Sequence, residues 1–200
     1  MKLILIALLS YLIGAVPFAL VIGKLFFKTD IRKHGSGNLG GGNTGRVLGA
    51  KAGLAVMTLD LLKVTLCVGI ALRLCGTQSA AALAAVSAAL GHCWPVFARF
   101  RGGKAVAALY GFLFGIWVLG GCSPLCFFLP LGVFGATLYV TKVVALASLV
   151  SALAVTVWGA FALGSTYTAV LVFFLALTVW RHRGNLARVK RGTENKVSWL

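Results

Sequence analysis

Acidic residues are nearly missing from this chain. Its 200 residues include only Asp30, Asp60 and Glu194, against 19 lysines and arginines, for a net charge of +16. Charged residues of both signs make up 11% of the sequence, less than half the ~25% of an ordinary soluble domain. That leaves too little polar surface to cover a water-soluble globule. Three scattered acids also leave no cluster for Mg²⁺ and no partner for a two-carboxylate mechanism. The five cysteines (Cys67, Cys75, Cys93, Cys122 and Cys126) form no Cys-x-x-Cys pair and lie in or beside apolar stretches. Neither a metal site nor a disulfide framework is expected from them. No repeat, linker or second domain stands out, so residues 1–200 read as a single polytopic domain.

Apolar residues, by contrast, make up 60% of the chain, and the mean hydropathy is +0.99. This predicts an all-α integral membrane protein. Apolar runs fall at 3–27, 52–72, 79–98, 105–121, 124–141, 144–163 and 166–180, which makes about seven transmembrane helices. Several are near the ~17-residue lower limit for a span. The first run is too long for a signal-peptide core and lacks an Ala-x-Ala site, so it reads as a retained helix.

The cations test that count. Fifteen fall in alternate connections and the tail, among them Arg46, Arg101, Lys104, Lys142, Arg181 and Arg188. The opposite side has only Lys2 and Arg73, while Lys24 and Lys63 lie inside helices. The positive-inside rule then places the N-terminus outside and the C-terminus in the cytoplasm. Anionic lipid headgroups suit the excess charge, and a mostly membrane-buried chain offers little surface to nucleic acid. Asp60 and Lys63 stand three apart and share a helix face. They read either as a structural ion pair or as a polar site facing the bundle interior.

The chemistry-bearing residues gather on the cytoplasmic side. The first loop runs from His34 to Arg46 with glycines at 35, 37, 40, 41, 42 and 45. Glycine lets backbone N–H groups converge on an anion. Ser36, Asn38 and Asn43 add neutral donors, and the planar fork of Arg46 matches phosphate oxygens. Gly35-x-Gly37-x-x-Gly40 matches the dinucleotide fingerprint only formally, because membrane spans flank it instead of a βαβ unit. A second loop, Arg99-Phe-Arg-Gly-Gly-Lys104, offers backbone donors, a helix dipole and an ammonium together. It is not a Walker A loop, since Ala98 and Ala105 replace the required Gly and Ser/Thr. His92 just before it reads as a general base or as a helix-end residue bonded to backbone. In the tail, His182 and Asn185 stand three apart and share a face if the helix continues. Three phosphate-friendly segments on one face suit transfer between two phosphorylated substrates.

Taken together, these segments resemble the acyl-phosphate:glycerol-3-phosphate acyltransferase family of bacteria, PlsY. The resemblance rests on Gly35-Ser-Gly-Asn-x-Gly40…Asn43…Arg46, Leu59-Asp-x-x-Lys63, Gly91-His-x-x-Pro-Val-Phe97 and Gly102-Gly-Lys104. It continues in Leu146-Ala-Ser148 and Arg181-His-Arg-x-Asn185…Arg188…Gly192-x-Glu194. It implies a seven-helix protein of the bacterial cell membrane with its active site on the cytoplasmic face. The implied reaction moves an acyl group from acyl phosphate to the 1-hydroxyl of sn-glycerol 3-phosphate, giving lysophosphatidate and phosphate. This is the first acylation of phospholipid synthesis. It needs no cofactor or metal and implies a functional link to the enzyme that makes acyl phosphate.

By the same resemblance Ser36, Arg46, Lys104, His182 and Asn185 are catalytic. Gly35, Gly37, Asn38, Gly40, Asn43, His92, Gly102, Gly103 and Ser148 are substrate-binding, and Asp60, Lys63 and Glu194 are structural. An acyl phosphate is already activated, so the protein's main tasks are to hold two anions together and stabilise the carbonyl oxyanion. The hydroxyl proton passes to His92, to His182 or to the donor's own phosphate. Four positions depart from the family pattern: Gly42, Ala108, Ala145 and Gly184 each stand where a polar group is expected. They motivate an alternative, an inactive or altered-substrate paralogue. A transporter of phosphorylated metabolites is a further alternative, but inverted repeats are not evident.

Overall fold

The computed structural model describes residues 1–197. The chain forms helices α1 (Lys2–Gly14), α2 (Phe18–Phe27), α3 (Gly41–Leu48), α4 (Ala50–Cys75) and α5 (Gln78–Cys93). These are followed by α6 (Val106–Val118), α7 (Leu125–Thr141), α8 (Val144–Ala162), α9 (Gly164–Arg181) and α10 (Arg183–Lys190). No strand is present among the described residues. The protein is all-helical and integral to the membrane, as its composition predicts. Among the described residues five stretches are long and apolar enough to cross a bilayer: Lys2–Phe27, Ala50–Cys75, Gln78–Ala98, Val144–Ala162 and Gly164–Arg181. Two further apolar helices, Val106–Val118 and Leu125–Thr141, are shorter.

The first apolar run is not one helix, as its hydropathy suggests, but two. Pro17 has no N–H to continue the ladder. Val16 N–H bonds Ile13 O at 3.2 Å, and both Leu20 and Val21 N–H turn to Pro17 O. The Val16 carbonyl is thereby left without a helical partner, and Lys63 Nζ donates to it at 2.9 Å.

Small residues hold the bundle together, because lipid gives apolar side chains no incentive to leave it. Six alanines of α5 (Ala80, Ala81, Ala84, Ala85, Ala88 and Ala89) are fully buried, and α1, α4, α6 and α9 all pack on this helix. A Cβ on Gly14 would lie 2.2 Å from Ala88 O, and one on Gly91 equally close to Tyr11 O. Gly111-x-x-x-Gly115 is used within the chain: a Cβ on Gly111 would fall 2.3 Å from Leu61 O on α4. Alternation of the helices brings 28–49, 94–105, 142–143 and the segment after α9 to one end.

Candidate anion-binding site

The first wall is the segment from Asp30 to Leu48. Asp30 caps a short 3₁₀ turn by accepting from Arg32 N–H, and it pairs with the Arg32 guanidinium at 2.9 and 2.6 Å. That pair holds the Asp30 carboxyl well below the usual carboxylate range. Gly35 and Gly37 then take φ of +59° and +69°, which glycine adopts without strain. Asn43 locks the turn: its Oδ1 accepts from Ser36 N–H at 2.8 Å and its Nδ2 donates to His34 O at 3.1 Å.

The glycine-rich stretch was expected to be a loop throughout, yet Gly41–Leu48 is helical. Packing overrides glycine's poor helix propensity. Gly41 and Gly45 lie so close to Gly53 of α4 that a Cβ on Gly53 would be 2.6 Å from Gly45 Cα. The close seat of α3 on α4 fixes the position of Arg46.

The second wall is Gly102-Gly103-Lys104. Arg181 donates from Nε to Gly103 O at 3.0 Å and from Nη2 to Gly102 O at 3.1 Å. Its guanidinium rests on Trp94 and Trp180, with centroid distances of 5.4 and 6.0 Å. The third wall begins at the end of α9. Here the helix turns at His182 and does not continue straight, so α10 starts in a new direction. Lys104 Nζ donates to Asn185 Oδ1 at 2.5 Å. Asn185 Nδ2 donates in turn to Glu194 Oε1 at 2.6 Å, and Arg188 Nε to Glu194 Oε2 at 2.8 Å. Val197 N–H reaches Lys142 O, tying the tail back to the α7–α8 turn.

These walls enclose a cleft of about 580 Å³. Of the residues expected from sequence, Ser36, Arg46, Lys104, Asn185, Gly35, Gly37, Asn38 and Gly102 line it. Gly40, Asn43, Gly103 and His92 lie behind the walls, and Glu194 anchors the third wall from outside the lining. Ser148 is buried in α8 with its hydroxyl donated to Val144 O. Asp60 and Lys63 form a buried ion pair at 2.6 Å. His182 is also buried off the lining, with Nδ1 2.9 Å from Thr178 O. Because a carbonyl only accepts, Nδ1 carries the proton and Nε2 keeps its lone pair.

Phe100, Arg101, Arg181, Gly184, Arg188 and Asn195 also line the cleft, though none was expected as a site residue. For Arg181 and Arg188 the signal was their place in the tail motif. Phe100 gave none. Of the four polar departures only Gly184 reaches the lining, while Ala108 and Ala145 are buried and Gly42 faces open space.

Among the described residues five cations line the cleft (Arg46, Arg101, Lys104, Arg181 and Arg188), and no lining residue is acidic. Burial pushes Lys104 down to about 8, with Arg188, Arg46 and Arg181 acting in the same direction against Glu194. Burial likewise takes His182 down to about 4, leaving it neutral at pH 7. No group of three or more His, Cys, Asp or Glu among the described residues is placed to hold a metal. The cleft is therefore built to receive anions.

Comparison with known proteins gives the family. The family model described as "Glycerol-3-phosphate acyltransferase" matches residues 4–192. A glycerol-3-phosphate acyltransferase of Geobacillus kaustophilus is 45% identical, over 98% of this chain and 96% of its own. One from Bacillus subtilis is 42% identical, with full coverage of both. The crystal structure of PlsY (YgiH), an integral membrane glycerol 3-phosphate acyltransferase in its glycerol 3-phosphate form, superposes with a TM-score of 0.89. It is 29% identical, and the match covers 99% of this chain and 96% of that one. Its lysophosphatidic acid form gives a TM-score of 0.87 at 28% identity. The chain belongs to the glycerol-3-phosphate acyltransferase family.

Proposed function

We propose that the protein transfers an acyl group from acyl phosphate to the 1-hydroxyl of sn-glycerol 3-phosphate, yielding lysophosphatidate and inorganic phosphate. The observation that carries this reading is the cleft lined by five cations and, among the described residues, no carboxylate, shared by Ser36 and Arg46 on one wall and Lys104 and Asn185 on the others. Two phosphates brought together repel, and this cation set offsets that repulsion. Structures of a relative in glycerol 3-phosphate and lysophosphatidic acid forms support the acceptor and the product.

In the step itself the acceptor's 1-oxygen bonds to the acyl carbon and the acyl C–O bond to phosphate breaks. The Ser36 hydroxyl and nearby backbone N–H groups stabilise the carbonyl oxyanion. The hydroxyl proton goes to the departing phosphate. Both candidate histidines, His92 and His182, are buried off the cleft lining, which favours this substrate-assisted route. The 15-to-2 split of cations supports a cleft on the cytoplasmic face of the membrane.

The test is phosphate release from purified protein given palmitoyl phosphate, with and without glycerol 3-phosphate, beside Arg46→Ala. Release that needs the acceptor and disappears in the variant is expected. Folded protein that releases none would overturn the reading and bring forward the altered-substrate alternative, for which Gly184 on the cleft wall is the observation. A single His→Ala change that abolished turnover while both substrates still bound would overturn the proton route.

A further inference from the structure

The buried Asp60–Lys63 pair does not stop at itself. Lys63 Nζ is held by Val16 O, by Asp60 Oδ1 and by the Phe18 ring, whose centroid is 5.5 Å away. The same Asp60 oxygen lies 3.6 Å from His92 Nδ1, longer than a hydrogen bond. His92 in turn touches the second wall twice. Its carbonyl accepts from Gly103 N–H at 3.0 Å. Its ring lies against Gly103 so closely that an added Cβ would come 2.0 Å from Nε2. Gly102 is seated as tightly, since a Cβ there would be 2.1 Å from His92 O. The Gly102 and Gly103 carbonyls are taken by Arg181 from another side. Gly103 has no positive φ, so its need for glycine comes from the imidazole beneath it and not from the backbone.

We propose that His92 is a positioning residue, held by Asp60 and Lys63, that sets the place of the Gly102–Gly103–Lys104 backbone at the cleft. The relay runs from the α1–α2 break through α4 and α5 to the loop that carries Lys104. All three side chains are nearly solvent-free, at 2% (Asp60), 6% (Lys63) and 5% (His92) exposure. Three polar side chains buried together are costly unless they pair. Here Lys63 pairs with Asp60 and with the Val16 carbonyl, His92 lies next to the same Asp60 oxygen, and the end of that chain of contacts is the loop. A loop displaced by 1 Å loses much of its grip on an anion.

This inference rests on the acyltransferase reading for its kinetic test but not for its structural one. His92→Ala is expected to raise the KM for glycerol 3-phosphate about 10-fold while changing kcat less, and His92→Asn to restore part of the loss. Gly103→Ala in the native background should raise the same KM by about 30-fold, because its methyl meets the ring, but by no more than about threefold when His92 is already Ala. Trypsin cleavage after Lys104 in detergent, read by fragment mass, should be faster in both single variants and no faster in the double variant than in His92→Ala. Should His92→Ala not extract as folded protein, His92→Asn carries the same comparison, since its shorter side chain also leaves room for the methyl. The proposal is overturned if Gly103→Ala costs the same factor in both backgrounds, or if His92→Ala leaves cleavage after Lys104 unchanged. If native protein shows no turnover at all, the acyltransferase reading fails, and the cleavage comparison still decides the relay.

Discussion

The two ends of the helical bundle solve the same problem, reversing the chain, in different ways. At the end away from the cleft, every residue with positive φ is a glycine: Gly76, Gly121 and Gly164. At the cleft end five non-glycine residues among those described take that conformation: Lys28, Arg99, Phe100, Ala105 and Lys142. Each costs about 1 kcal/mol or more that glycine would avoid. Three of the five lie within five residues of Lys104. One end is therefore made of inexpensive turns, while the other keeps particular side chains in strained places. Phe100 lines the cleft, as does Arg101 beside it, and Ala105 is fully buried at the start of α6. Strain concentrates where position matters chemically.

The sharpest way to test that contrast is to remove charge from the cleft end. Arg46→Ala should lower acceptor-dependent phosphate release by about 100-fold or more, as loss of a charge-assisted contact to a reacting anion does. Next comes pH. Lys104 sits near 8 in the free protein, so its charge is present below that pH and lost above it. The kcat/KM for glycerol 3-phosphate should accordingly fall as pH rises through about 8, and Lys104→Arg should shift that limb well upward because arginine stays charged. Gly111→Val probes the apolar bundle between the ends. Its Cβ would lie 2.3 Å from Leu61 O, and a cost of about 1–3 kcal/mol is expected, read as a lower melting temperature in detergent. The smallest effects test the turns themselves. Gly121→Ala, with open space around it but φ of +70°, should cost about 1 kcal/mol and leave turnover unchanged. Arg99→Gly should recover up to about 1 kcal/mol at the cleft end. Equal and opposite shifts in melting temperature would support the contrast, and a destabilised Arg99→Gly would break it.

How much of this was legible beforehand differs between the same two regions. The apolar runs and the sided cations were enough for the helices and for the end where the site lies, because both signals are summed over many residues. The glycine motifs, Arg46 and Lys104 pointed to an anion site through their chemistry, and Asn185 was expected only through its place in the tail motif. Two local features were not. The α1–α2 break depends on where the ladder bonds rearrange around Pro17, and hydropathy is blind to that. Helix α3 depends on Gly41 and Gly45 meeting Gly53, a contact between separate segments that no local propensity contains. The same holds for His92, whose role as support comes only from the loop laid against its ring, and for Arg181, which looked like a membrane-flanking charge until its two carbonyl partners were placed.

One feature of the second wall also gives the molecule an optical handle. Trp94 and Trp180 lie tilted at 36° with centroids 5.3 Å apart, and the Arg181 cation that holds the Gly102 and Gly103 carbonyls lies over both rings. Two indoles this close couple their electronic transitions, and a cation at their faces shifts emission. Any ligand that pulls on the loop must disturb Arg181 and, through it, that coupled pair. Cleft occupancy should then be visible as a near-ultraviolet circular dichroism change in unlabelled protein, before any bond is made or broken.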